Sequence, residues 1–298
     1  MPLHDVRGRI DHMAYDAGRK RLMVAELGNN TVDVIDVGAG AVVHRIGGLK
    51  EPQGVGYAQN GDMILVANAG DGSVRLFKGA DFAPAGTIAL GDDADNVRID
   101  PRNGLAVVGY GSGGLALIDV TSHAKVADIR LPRHPEGFQI DATNGHAYVN
   151  IPDADQIAVV DLDGRSVLPP RFTRESRANF PMALDPKERL IASVFRRGPV
   201  LLLTNADSGG VQQKIPTCDD ADDVFFDQRR GRIYISCGGG ELAIMERGSA
   251  DWHSVGSIKT ASGARTSLFV PELDRLFLAE RAGMLGSDAA IAVYRPAP

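Results

Sequence analysis

Short runs of Val, Ile and Leu, four to six residues long, alternate with polar turns along the whole chain, a pattern that favours strands over helices. One apolar run followed by an acidic turn recurs as HMAYD at 12–16, VGYAQ at 55–59, VRIDP at 97–101, FQIDA at 138–142, MALDP at 182–186, VFFDQ at 224–228 and LFVPE at 268–272. A second strand follows each turn (LMVAE, MILVAN, LAVVGY, AYVNI, LIASV, IYISC, LFLAE), and then a third (VDVIDV, VRLFKG, LALIDV, IAVVDL, VLLLTN, LAIMER, IAVYRP). A weaker fourth run closes most copies.

The residue just ahead of the first strand marks each copy: Asp11, Gln53, Asp95, Glu136, Phe180, Asp222 and Thr266, at spacings of 42, 42, 41, 44, 42 and 44. Seven four-stranded copies of this length predict an all-β fold, a single seven-bladed β-propeller. Its blades fall at about 9–49, 50–90, 91–131, 132–174, 175–216, 217–259 and 260–298. The seventh copy ends at IAVYRPAP without a fourth strand, while residues 2–7 precede the first copy with no other assignment. Pairing the two closes the last blade and removes an exposed edge.

The strand–turn–strand run ending in V-I-D, as in LMVAELGNNTVDVIDV and AYVNIPDADQIAVVDL, resembles the YVTN-type propellers. The P-x-G entries Pro52-Gln53-Gly54 and Pro135-Glu136-Gly137 are similar to that family as well. The resemblance spans residues 9–296 and implies a fold, a periplasmic or secreted setting, and no shared chemistry. The opening MPLHDVRG has no apolar core of a signal peptide.

Composition narrows the partners. At 44% apolar and 23% charged the chain is ordinary for a globular protein, and its longest apolar runs, such as 105–108 and 200–203, are far too short for a membrane helix. A formal charge of −6 argues against nucleic acid and no membrane insertion is expected, which leaves a small polar molecule as the expected partner. Two cysteines, Cys218 and Cys237, form no zinc motif. Both lie near one end of an antiparallel pair, but direct register sets Cys218 opposite roughly residue 241, which favours two separate thiols over a disulfide.

In a propeller the residues entering the first strands converge on the axis. Here they are acidic and polar. Asp11, Asp95, Glu136 and Asp222 are the expected ligands of a divalent cation (Ca, Mn or Zn), with Gln53 beside them. Two unit charges ~6 Å apart at an effective dielectric of about 20 repel by roughly 2.8 kcal/mol, which a cation, a proton or exposure to water relieves. Aspartates ahead of a strand also serve simply as turn formers. His12 and His134 are the candidate general acid and base. The loops after the second strands add Glu26, Asn68, Tyr110, Asn150, Arg196 and Arg281 as candidate ligand-binding groups, although either arginine can instead pair with a rim carboxylate.

The chain carries no G-x-S-x-G, H-E-x-x-H or C-x-x-C-H, and GYGSGG at 109–114 lacks the Lys-Ser/Thr of a phosphate loop, so it reads as a turn. Two functions fit these residues. One is a metal-dependent hydrolase or lyase acting on a lactone, ester or phosphotriester. The other is a binding module without catalysis.

Overall fold

The computed structural model describes residues 1–173, 176–283 and 288–297, so the boundary expected between the fourth and fifth copies, at 174/175, lies outside the described residues. The chain folds into seven four-stranded antiparallel sheets, the blades of a seven-bladed β-propeller. Their first strands are Met13–Asp16, Pro52–Ala58, Ala94–Ile99, Phe138–Asp141, Arg177–Asp185, Ala221–Asp227 and Ser267–Val270. Six sheets are simple meanders of consecutive strands. The seventh runs, in hydrogen-bonding order, Pro2–Leu3, Ala289–Tyr294, Arg275–Glu280 and Ser267–Val270.

The N-terminal strand therefore does complete the last blade, with Pro2 opposite Ala290 and Leu3 opposite Ala289. It is shorter than the expected 2–7. Asp5 turns the chain into the left-handed region (φ 62°), which a ladder cannot continue. Around the turn the segment is held by other means: the Arg45 guanidinium donates to the His4 carbonyl at 2.8 Å ahead of it, and Val6 is buried beyond it.

The described chain forms two compact units, Met1–Pro135 with Ala279–Val293, and Glu136–Leu278 with Tyr294–Pro298. In the first, the core lies between sheets one and two (Met23, Val34, Val55, Val66) and between sheets two and three (Leu65, Leu76, Val97, Val108). In the second, Leu201, Val224, Ile233 and Ile235 fill the space between sheets five and six, and Tyr148, Ile157 and Ile191 that between four and five. Central strands such as Met63–Asn68 are buried at every position because both faces meet a neighbouring sheet, whereas fourth strands such as Trp252–Lys259 are mostly exposed.

The aspartate that ends the first strand is a folding element. Asp16, Asp100, Asp141, Asp185 and Asp227 are buried, and each accepts a backbone N–H of the turn it opens, from Arg19, Arg102, Thr143, Lys187 and Arg229. Arg19 adds a bridge between blades, reaching Asp16 at 3.1 Å and Asp62 at 2.8 Å, and Arg230 repeats it with Asp227 at 2.9 Å and Asp274 at 2.7 Å.

Two cysteines that register kept apart are joined. Cys218 and Cys237 form a disulfide with Cα atoms 6.0 Å apart, which overturns the expectation of two thiols. The ladder begins only at Ala221, opposite Cys237, so Cys218 belongs to the incoming loop, and strand register does not extend to it.

Candidate functional site

Four first strands carry an irregularity at their entry. Pro52 pairs with Asn68 and Gly54 with Ala67, which leaves Gln53 without a partner on the second strand. In the same way Asp95 and Asn96 fall between the Ala94 and Val97 pairs, Phe180 and Pro181 between those of Asn179 and Met182, and Asp222 between those of Ala221 and Asp223. A bulge of this kind turns a side chain out of the regular alternation. It sets Gln53, Asp95, Phe180 and Asp222 apart from the regular strand faces, whereas the entries after Asp11, Glu136 and Thr266 pair without a shift.

In the first unit these residues meet. The Asp95 carboxylate, only 8% exposed, stands between two imidazoles: Oδ1 lies 3.9 Å from His12 Nε2 and Oδ2 lies 3.8 Å from His134 Nε2. Both separations exceed a hydrogen bond. Oδ1 is buried and has no hydrogen-bond partner among the described residues. His134 Nδ1 sits 2.6 Å from the Gly111 carbonyl, which can only accept, so Nδ1 carries a proton and Nε2 is the atom directed at Asp95. Asp93 lies 3.7 Å from His134 and receives the Gln53 amide at 3.2 Å. Burial pushes the Asp93 carboxyl upward, with His134 opposing and the Asp95 charge adding.

The backbone holds this group tightly. The His12 amide donates to the Gln53 carbonyl at 3.1 Å, linking the entries of sheets one and two. A Cβ at Gly54 would stand 2.0 Å from the Asp95 carbonyl, so the glycine of the P-x-G entry lets the next strand come this close. Asp11 is buried and salt-bridged to Arg9 at 2.7 Å, with His12 Nε2 at 3.9 Å from its other oxygen.

Other expected site residues occupy different positions. Asn68 is buried, takes the Lys50 amide on its oxygen and donates to the Val66 and Ser73 carbonyls, so its amide holds the loop. Glu26 is buried, accepts the Thr31 hydroxyl at 2.5 Å, and has its carboxyl pushed up to about 8, chiefly by burial. Tyr110 turns its hydroxyl to Asp128 at 2.8 Å. Arg281 follows the strand Arg275–Glu280, half-buried.

In the second unit, Asp222 is bound by Arg196 and by Arg265, whose Nε lies 2.9 Å away. Arg265 also holds Asp220 at 2.6 Å, and the Arg196 guanidinium lies 3.8 Å from the centre of the Phe180 ring. Asp222 is therefore neutralised by two guanidinium groups. Glu136 is half-buried, with its amide on the Asn150 carbonyl at 3.0 Å. Asn150 is buried and donates to the Phe180 and Pro181 carbonyls while accepting from Asn179 at 2.8 Å, a framework like that of Asn68. Among the described residues, no three His, Cys, Asp or Glu side chains are grouped so as to hold a metal ion.

Arg265 and the Gly111 carbonyl were not anticipated from the sequence. Arg265 directly precedes the marker Thr266 and was open to the same positional argument; a backbone carbonyl carries no residue signal.

Solved structures of the same fold are similar over nearly the whole length. Kuenenia stuttgartiensis hydrazine synthase matches with a TM-score of 0.85 at 17% identity, covering 98% of this chain and 97% of that one. A chain of the mitotic checkpoint complex matches with a TM-score of 0.80 at 13% identity, covering 98% and 92%. At these identities the likeness concerns the fold alone. No family model matches the chain, and no curated protein matches it in sequence.

Proposed function

We propose that this propeller is a binding protein for a small polar molecule rich in hydrogen-bond donors, an amine or a polyol, held at Asp95 between His12 and His134. The observation that carries the reading is the buried, unpartnered Asp95 Oδ1. A carboxylate oxygen left unsatisfied in a buried position costs about 1–3 kcal/mol or more, and a donor from a ligand offsets that cost. The flanking imidazoles suit such a ligand: with His134 Nδ1 donating to Gly111 its Nε2 accepts, and His12 Nε2 can donate or accept according to tautomer. The YVTN-like repeat supports a binding role over a catalytic one. The Cys218–Cys237 bridge supports an oxidising compartment.

A hydrolytic reading uses the same residues, with His134 as the base. The contact of its Nδ1 with the Gly111 carbonyl favours it, because Nε2 is left as the accepting nitrogen.

Titration calorimetry with spermidine, glucosamine and sorbitol, and with Ca²⁺, Mn²⁺ and Zn²⁺, tests both readings. An organic donor should bind the parent, and Asp95→Asn should weaken it at least about tenfold while leaving the protein as stable or slightly more so. Equal heats from the parent and Asp95→Asn for every binder would overturn the assignment. Turnover of a lactone or ester panel that vanishes in His134→Gln would favour the hydrolytic reading.

A further inference from the structure

A second site lies in the first unit, on the third blade. A cleft of about 650 Å³ is lined by Tyr110, the loop Gly111-Ser112-Gly113, Asp92, Asp128, Arg130 and Arg133. This size is right for a small organic ligand and far larger than a bare anion requires. Both arginines are exposed, and neither forms an ion pair among the described residues. Asp128 is already engaged, by Lys125 at 2.7 Å and by the Tyr110 hydroxyl at 2.8 Å. The cleft thus holds two guanidinium groups outside any ion pair among the described residues, Arg130 acting on Asp128 only at longer range, in a protein whose formal charge is −6.

The loop makes this arrangement possible. Gly111 (φ 59°) and Gly113 (φ 148°) adopt backbone conformations that favour glycine. A Cβ at Gly113 would stand 2.4 Å from the Leu131 carbonyl, so only glycine lets the loop close on the segment that carries Arg133. A Cβ at Gly114 would lie 2.4 Å from the Tyr110 ring, so the missing side chain makes room for the aromatic wall. An aromatic wall with carboxylate acceptors beside it suits the hydroxyls and apolar face of a sugar ring. Paired guanidinium forks suit an oxyanion.

We propose that this cleft binds a carbohydrate bearing an oxyanion, a phosphate or a carboxylate, with Arg130 and Arg133 on the charged group and Tyr110 beside the ring. The proposal rests on Arg130 and Arg133 and not on Asp95, although Gly111 lines this cleft and its carbonyl contacts His134.

Calorimetry of the full chain carrying D95N, in which hydroxyl binding at Asp95 is weakened, with glucose 6-phosphate, glucuronate, glucose and inorganic phosphate tests the idea and separates the two oxyanion sources. At least one charged sugar should bind, with affinity falling as salt rises. Glucose and inorganic phosphate should each bind at least about tenfold more weakly than that sugar, since a charged hydrogen bond is worth a factor of this order. Added to D95N, R130Q/R133Q should lose at least about tenfold, and R133Q alone should lose less in the same direction. The arginine variants alter exposed side chains, and melting curves check that each protein folds. The proposal is overturned if neither charged sugar binds, if glucose or phosphate binds as tightly, or if adding R130Q/R133Q leaves the affinity of D95N intact.

Discussion

Replacing Glu26 by Gln should change how stability depends on pH more than it changes stability at any one acidic pH. Glu26 ends the strand Arg21–Glu26 with 0% exposure, and its carboxyl is pushed from 4.5 to about 8. Burial is the main cause and the Asp33 charge adds to it, while the Thr31 hydrogen bond and the Arg45 charge oppose. Asp33, equally buried, is held by Arg45 through contacts of 2.6 and 2.8 Å, so a second ionised carboxylate nearby is poorly tolerated. The folded protein keeps a proton here that the unfolded chain releases. Stability therefore falls as pH rises through the window from 4.5 to about 8, is full below it, and carries the whole penalty above it. At about 1.36 kcal/mol per pKa unit, a rise of this size amounts to an upper limit of about 4–5 kcal/mol. Glu26→Gln keeps the shape and an acceptor for Thr31. It should cost at most about 1 kcal/mol at pH 5 and be the more stable protein at pH 9, by several kcal/mol. Urea denaturation of both proteins at pH 5, 7 and 9 measures this, since other titrating groups cancel in the difference. Parallel pH profiles would refute the reasoning.

Two further outcomes follow from the fold. Deleting residues 1–7 removes the Pro2–Leu3 pairing and two buried apolar side chains, Leu3 and Val6, and should lower stability by about 2–5 kcal/mol or cause aggregation through the exposed edge; an unchanged melting curve would count against closure. Denatured, unreduced protein should show no titratable thiol. Reduction should lower stability by about 3 kcal/mol for a loop of this length, and two free thiols would rule the Cys218–Cys237 bridge out.

The architecture was legible because every copy repeats the same chemistry at the same offset. The aspartate after the first strand accepts turn amides in five sheets, and so it recurs as a letter in the chain. The site was legible only in part. The spacing picks out the positions of Gln53, Asp95 and Asp222, but the bulges that turn them out of the regular alternation leave no residue signature, because a two-against-one pairing is a property of two strands at once. Asn68 and Asn150 looked like rim residues by position, yet their amides are spent on backbone carbonyls. Nor does spacing reveal which carboxylates are compensated: Arg9 takes Asp11, and Arg196 with Arg265 takes Asp222, whereas Asp95 keeps an unpartnered oxygen.

The pairing of Pro2–Leu3 with Ala289–Tyr294 also fixes an order of events. Six blades are built from consecutive strands and can form as soon as each meander emerges from the ribosome, but the seventh must wait for residues almost the whole chain apart. Closing so large a loop is slow and leaves a sheet edge open meanwhile. A nascent chain should thus pass through a late species with most of its blades formed and one edge unpaired. For this protein, the interval before the last sheet is complete is when that open edge is available to pair with a second copy.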